Sequence, residues 1–398
     1  MEQEEDQLSN LPKIILHNIL SRLPEEDAAR TSVLSKTWLE IWYTYPNLSF
    51  CDSQFIGKSI QPVEDIVGTK GKFLKFCDYA KAIVLYIVLC DTKIIGMFPN
   101  PMEDLPKNMN DFIDYVKSRL VRFQKQRLTI KEFKLSVKCF ELSYMSEDVD
   151  LCLKLASESG VEVLELYHGL DTDEEGRGEC YILPKSVIEV KSLTKLVLNG
   201  RIRVDQAFMN HSIKFFSLKE LHLFHVFLED EQAINHLISC CPLIEIITLI
   251  LFGGIMKSLS MHGLKKLKKV CVSGIKEVYI DETSSLKRLD YCHDCLDAQF
   301  KVDFIHCKYL KDLLLRLEDS TIITNKWFLE LFPKFPFLES LDICNCILSE
   351  KINISSVQLK YLYISNCSNL KEANIDTPNL LSCRFVWFKV SKPIIKHF

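Results

Sequence analysis

The chain has 398 residues, 47% of them hydrophobic and 26% charged, and a formal net charge of -4. That balance specifies a folded protein with a sizeable core and little long disorder, and it leaves no basic excess of the kind nucleic-acid binders carry. The opening Met1-Glu-Gln-Glu-Glu-Asp6 lacks the apolar core of a signal peptide. The sixteen cysteines are scattered from Cys51 to Cys383. Reduced thiols inside the cell, in cytoplasm and/or nucleus, are therefore expected, with the Asn-x-Ser/Thr sites at Asn47, Asn210, Asn353 and Asn366 left unglycosylated. Apolar runs such as Ile83–Leu89 and Ile246–Phe252 are strand-sized, so no membrane partner is expected.

The first organised stretch is residues 8–50. Pro12 suits the first turn of a helix, where a missing N–H costs nothing. Leu16, Ile19, Leu20 and Leu23 then repeat at i, i+3, i+4 and i+7, which makes one face apolar. Pro24 ends that helix. Glu25, Glu26 and Asp27 favour the start of a second, running to about Leu34. Ser35 is a good N-cap for a third, in which Trp38, Ile41, Trp42 and Tyr45 recur at helical spacing before Pro46. Three short helices bury little core by themselves, and the two tryptophans suit a surface that meets a partner.

This stretch resembles the F-box. The resemblance rests on Leu11-Pro12, Ile15, Ile19 to Pro24, Asp27, Arg30, Ser32 to Lys36, Trp38, Trp42, Pro46 and Leu48. It implies docking to a Skp-type adaptor and, through it, to a cullin and a RING subunit. By resemblance, Leu11, Pro12, Ile15, Leu16, Leu20, Leu34 and Trp38 are adaptor contacts or their direct supports.

Residues 51–78 hold Gly57, Pro62, Gly68 and Gly71 and read as a connector. Gly68-Thr-Lys-Gly71-Lys72 is too short for a phosphate loop and has Phe73 where a Ser/Thr belongs. A polar stretch, Pro99–Asn110, precedes a helix expected at Asp111–Lys125.

Beyond it the signal is repetition. An L-x-x-L-x-L template recurs at Ile130/Phe133/Leu135, Val161/Leu164/Leu166, Leu193/Leu196/Leu198, Leu218/Leu221/Leu223 and Leu267/Val270/Val272. It continues at Leu286/Leu289/Tyr291, Leu310/Leu313/Leu315, Leu338/Leu341/Ile343, Leu359/Leu362/Ile364 and Leu380/Cys383/Phe385, with a degenerate copy starting at Leu243. Spacings of 19 to 28 residues from Leu193 onward fit a leucine-rich repeat. Cys346 and Cys367 take the Asn/Cys slot after the strand, and Asp294 takes it in the Leu286 copy. The resulting fold class is α/β: a three-helix F-box at 5–50, a connector and irregular region at 51–110, and a leucine-rich-repeat solenoid at 111–398. Its parallel strands line a concave face, with helices and loops outside. The whole pattern is similar to plant F-box proteins with leucine-rich repeats. No further C-terminal domain is assigned after the last copy.

Other constellations fall short of chemistry. Cys292-His-Asp-Cys295 with His306-Cys307 has metal-like spacing, but Tyr291 and Leu296 already fit the repeat register, so neither zinc nor any other cofactor is assigned. Asp171-Thr-Asp173-Glu-Glu175-Gly176 starts like a calcium loop, yet its twelfth position is Ile182 where a Glu is required. Lys265, Lys266, Lys268 and Lys269 read as exposed lysines of a strand or its approach rather than an import signal. Cys240-Cys241 before Pro242 reads as a helix end. No nucleophile and base are paired by any motif, so a non-catalytic chain is expected. The repeats present Lys195, His222, Lys269, Arg288, Asp290, Asp312, Asp342, Tyr361 and Tyr363 on the concave side as candidate target-binding residues. Val197, Glu220, Cys271, Leu314 and Ser340 stand among them. Mixed charge with aromatics suits a protein surface rather than a nucleic acid. The expected role is the substrate-recognition subunit of a Skp–cullin–F-box ubiquitin ligase. The alternative is a repeat scaffold or small-ligand sensor that does not assemble into a ligase.

Overall fold

The computed structural model describes residues 8, 10–23, 25–52, 105–138, 142–169, 180–187, 189–204, 215–228, 231–251, 256–281, 283–292, 301–303, 307–317, 320–386 and 394–397. The Gly68–Lys72 loop, Ile83–Leu89, the acidic run from Asp171 and the His293–Cys295 segment lie outside them. The chain divides into two compact units, one of residues 1–159 and 166–181, the other of residues 160–165 and 182–398.

The first unit opens with helices α1 (Lys13–Leu20), α2 (Glu25–Arg30) and α3 (Lys36–Tyr43). The second helix stops at Arg30 rather than Leu34, and Thr31–Val33 tighten into a 3-10 turn. Ser35 caps α3, its hydroxyl accepting from the Trp38 N–H at 3.2 Å. Leu16, Leu20, Ala28, Trp38 and Ile41 form a small closed core, with Leu11, Ile19, Trp42 and Tyr45 packed on its edge. Each fully buried aliphatic there contributes roughly 1.5–3 kcal/mol.

The chain leaves this core as a strand. β1 (Asn47–Cys51) pairs in parallel with β2 (Glu132–Val137), Leu48 opposite Phe133 and Phe50 opposite Leu135. Asp52 extends the pairing by accepting from the Lys138 N–H at 2.9 Å. Between them in sequence comes α4 (Leu105–Lys125), which begins six residues before the start expected at Asp111; Pro106 sits in its first turn, where proline is tolerated. Helix α5 (Ser146–Glu158) packs on α4, Lys117 bridging Asp114 and Asp148 at 2.9 and 3.0 Å. Strand β3 (Val163–His168) contains the boundary between the units.

The second unit is a parallel stack: β4 (Lys195–Asn199), β5 (Glu220–Phe224), β6 (Ile246–Ile250), β7 (Lys269–Ser273), β8 (Arg288–Cys292), β9 (Asp312–Arg316), β10 (Ser340–Cys344), β11 (Tyr361–Ser365) and β12 (Ser382–Val386). Each pairs in register with the next. The template leucines face the core, as Leu221, Leu223, Leu289, Leu313, Leu341 and Ile343 illustrate. The degenerate copy is a correction. Its core positions are Ile244, Ile247 and Leu249, one residue beyond Leu243, Ile246 and Thr248. Ile246-Ile-Thr-Leu-Ile250 is apolar on both faces, so the alternation that sets register is weak there.

The return segments differ with length. From Leu193 onward the longest interval, Leu310 to Leu338, holds α7 (Asn325–Lys334), and the one after Leu218 holds α6 (Glu231–Ser239). The intervals after Leu243, Leu267, Leu338 and Leu359 form outer parallel strands, Met256–His262 beside Ile275–Asp281 and Lys351–Ser355 beside Glu372–Asp376. In the shortest, one residue joins the inner strand to the outer one. Gly274 makes that turn at φ +76, and a Cβ there would lie 2.6 Å from the Leu251 carbonyl oxygen. Asn345 and Asn366 make the same left-handed turn after β10 and β11.

Candidate functional site

Two surfaces carry the expected binding residues. On the helical head, the residues set apart by resemblance divide by position. Leu16, Leu20 and Trp38 are core, Leu11 is half-buried on its edge, and Pro12 is exposed. Ile15 is 42% exposed and Leu34 66%. The 3-10 turn also presents Val33, 83% exposed, and α1 presents Ile14, 76% exposed. Neither is among the adaptor contacts expected by resemblance. Helical spacing marked the buried stripe and said nothing of the opposite side. Ile14, Ile15, Val33 and Leu34 are thus four branched aliphatics exposed on this small head.

The head is held to the rest of its unit. The Arg119 guanidinium on α4 is buried, donates from Nη2 to the Trp42 carbonyl at 3.1 Å, and lies 5.1 Å from the centroid of the Trp42 ring. Arg122 sits 3.7 Å over Tyr43. Burial lowers the pKa of Arg119, yet a guanidinium remains charged, and the aromatic faces of Trp42 and Tyr43 offset part of its desolvation. The Pro46 carbonyl accepts from Lys131 and Glu132. Attachment thus runs through a strand and two arginines, not through the connector alone.

On the repeat sheet, strict register aligns the candidate target-binding residues in rows. One row runs Lys195, Glu220, Ile246, Lys269, Arg288, Asp312, Ser340, Tyr361. The next runs Val197, His222, Thr248, Cys271, Asp290, Leu314, Asp342, Tyr363, ending on Arg384. Lys195 pairs with Glu165 at 3.0 Å. Arg288 Nε reaches both Asp290 oxygens, at 3.0 and 3.2 Å. Asp290 is buried and Tyr361 about half-exposed. Burial raises the pKa of Asp312 and Asp342; the Cys344 thiol donates to Asp342 at 3.2 Å.

His222 lies between Thr248 Oγ1 at 3.0 Å and Glu220 Oε2 at 3.4 Å. Burial lowers its pKa below 6.5; Lys195 adds to the fall, while Glu220 and Glu165 oppose it. The unfolded chain therefore takes up this proton first as pH drops through about 6.5, so stability is full above that pH and declines below it. The urea midpoint is expected to fall between pH 7.5 and 5.5, and His222→Gln to remove part of that fall. His17 shares the direction, so the difference between native chain and variant isolates His222.

The remaining expectations fall into place locally. Lys265, Lys266 and Lys268 stand on the turn before β7, with Lys268 paired to Glu245. Cys240 and Cys241 follow the end of α6. Cys346 and Cys367 are buried with their sulfurs 3.4 Å apart, and the Cys367 thiol donates to the Ser365 carbonyl at 3.2 Å. The described cysteines are free thiols. Cys307 lies 3.3 Å from Thr283 Oγ1. Among the described residues no three His, Cys, Asp or Glu side chains gather as a metal site, and no helix is long and apolar enough to cross a membrane.

Comparison with known proteins matches two stretches of the chain to families. Residues 8–50 match the F-box domain. Residues 149–314 match the repeats described as "FBD-associated F-box protein At5g56370, LRR repeats". The chain is 26% identical over 315 residues to the F-box/FBD/LRR-repeat protein At1g13570 of Arabidopsis thaliana, covering 78% of this chain and 60% of that one. It is 27% identical over 244 residues to the FBD-associated F-box protein At5g56370 of the same plant, covering 61% and 43%. Over 51 residues it is 51% identical to the F-box/LRR-repeat protein At3g58940 of that plant, covering 13% and 8%. The chain spans about half the length of the curated relatives it matches over most of its own.

Proposed function

We propose that this chain, a plant-type F-box protein with leucine-rich repeats, is the substrate-recognition subunit of a Skp–cullin–F-box ubiquitin ligase. The observation that carries this reading is the helical head. It closes its own core around Leu16, Leu20 and Trp38 yet keeps Ile14, Ile15, Val33 and Leu34 in water. A Skp-type adaptor covers those four, and cullin and RING subunits join through it. The sheet rows from Lys195 to Tyr363 hold a target protein.

The chain then needs no reacting group of its own. Holding a target lysine beside a ubiquitin thioester carried by the partners raises its effective concentration. That role needs a stiff head, and the Arg119 and β1–β2 attachments supply stiffness within the first unit.

Co-purification tests the reading. Native chain mixed with purified Skp-type adaptor is expected to elute as a stoichiometric complex in size-exclusion chromatography. A folded chain that elutes apart from the adaptor at micromolar concentration overturns it.

A further inference from the structure

Two successive repeats carry cysteine in the slot that follows the inner strand. β10 and β11 end at Cys344 and Ser365, each chain segment turns through a left-handed asparagine, Asn345 or Asn366, and Cys346 and Cys367 come next. The backbone keeps the two residues level: Cys344 pairs with Ser365 before them, and Ile347 with Ser368 after them. They therefore stand one strand spacing apart, about 4.8 Å. That lies inside the range of about 4.4–6.8 Å between the Cα atoms of a disulfide. Their sulfurs, 21 residues apart in sequence, are 3.4 Å from each other and need to close to about 2.05 Å for a bond.

The two thiols are not equivalent. The Cys367 thiol donates to the Ser365 carbonyl at 3.2 Å, which leaves Cys346 as the donor between the two sulfurs. That hydrogen bond holds the Cys367 thiol below its usual range against the opposing effect of burial, and the backbone N–H groups of Cys346 and Asn345 add to the fall. The same bond, together with burial, holds Cys346 above the usual range. Burial pushes Cys241 and Cys344 up to about 12. Cys344, close by, is engaged elsewhere: its thiol donates to Asp342 at 3.2 Å and its sulfur accepts from the Ser365 hydroxyl at 3.0 Å. Cys367 is 4% exposed and Cys346 1%, so the pair is open to a small oxidant and closed to a bulky one.

We propose that Cys346 and Cys367 are a reversible oxidation site, in which a peroxide oxidises Cys367 and Cys346 then closes a disulfide between neighbouring repeats. The Cys367 sulfur attacks one peroxide oxygen, the O–O bond breaks, and the departing hydroxide leaves as water with the thiol proton. The Cys346 sulfur attacks the sulfenic sulfur so formed; the S–O bond breaks, and the hydroxyl leaves as water with the Cys346 proton. Two thiols have lost two electrons and two protons, and one peroxide has become two waters. A dithiol reductant restores both thiols by exchange. The bond ties the end of β10 to the end of β11, the strand that carries Tyr361 and Tyr363. It also closes a loop in the unfolded chain, so the oxidised protein is harder to unfold. Filling the slot accounts for small buried side chains; one thiol donating to the next is what points to chemistry.

The test uses the native full-length chain, treated with hydrogen peroxide while folded, then alkylated, digested and analysed by mass spectrometry. A crosslinked pair of peptides holding Cys346 and Cys367 is expected, lighter by two hydrogens than the reduced pair and absent after a dithiol reductant. The urea midpoint of the oxidised chain is expected to rise and to return on reduction. In Cys346→Ala, Cys367 is expected to be trapped as a sulfenic acid by dimedone; in Cys367→Ala, Cys346 is expected to stay a thiol. Cys344→Ala is expected to leave the crosslink unchanged. Peroxide that leaves Cys346 and Cys367 as thiols in the folded chain overturns the proposal, as does a crosslink that forms only in urea. Equal dimedone labelling of the two single variants overturns it as well. Should a variant fail to fold, as its circular dichroism would show, the crosslink in the native chain decides alone.

Discussion

A Val33→Asp/Leu34→Asp variant is expected to lose capture of a Skp-type adaptor by about 100-fold or more while its melting curve stays native. Both side chains point into water, at 83% and 66% exposure, so their replacement removes nothing from the core. Two carboxylates placed in an apolar interface must be desolvated on binding, and central interface residues commonly cost about 2–4 kcal/mol each when lost. Trp38→Ala is the contrasting variant. That indole is buried against Leu16, Leu20 and Ile41, and its removal costs about 3–5 kcal/mol, more than three short helices can spare. Adaptor capture should fail in both, but only Trp38→Ala should lose helical signal on mild heating. Pulldown and circular dichroism on the same preparations separate the two. Native-strength capture by the doubly charged variant would place the adaptor elsewhere on the head.

The second large effect is expected at Phe133. Its ring is fully buried, 6.1 Å from Phe50, and Leu48 is its partner across the β1–β2 pair. Phe133→Ala leaves a cavity where the strand following the head meets the strand following α4, at a cost of about 3–5 kcal/mol. The denaturant midpoint should fall accordingly, and native-state hydrogen exchange should speed up first at Leu48 and Phe50. Their amides belong to the pairing that the cavity undermines. Exchange that accelerates evenly over the chain would mean that β1 is not a separately opening element. Because β1 is continuous with the head through Pro46, whose carbonyl accepts from Lys131 and Glu132, the variant should loosen the head even while its own core remains closed.

Some of this was legible in advance because it depends on local periodicity. Leu16, Ile19 and Leu20 at helical spacing, Ser35 as a cap and the recurring Leu-x-x-Leu-x-Leu marked the head and the stack. Where periodicity is ambiguous the reading slipped: Ile246–Ile250 is apolar on both faces, and its register was set by the pairing with β5 and β7. Pro106 concealed the true start of α4, because proline opens helices as readily as it ends them. Contact between repeats was not legible at all. Cys346 and Cys367 occupy the same slot of successive copies, and nothing local states that their sulfurs meet.

The sequence by itself determined what repeats and what caps: the three-helix head, the stacking period, the core leucines and the residue types offered on the strand face. Those follow from dihedral preference and hydrophobic alternation, which act over a few residues. Tertiary structure alone decided which of the head's aliphatics stay in water, that Arg119 clasps Trp42 across the unit, and that the return after Leu267 becomes a long outer strand where the one after Leu310 holds a helix. It also decided that cysteines 21 residues apart stand one rung from each other. Such outcomes depend on which backbone groups pair across the stack, and pairing between distant segments is fixed only when every repeat has found its neighbour.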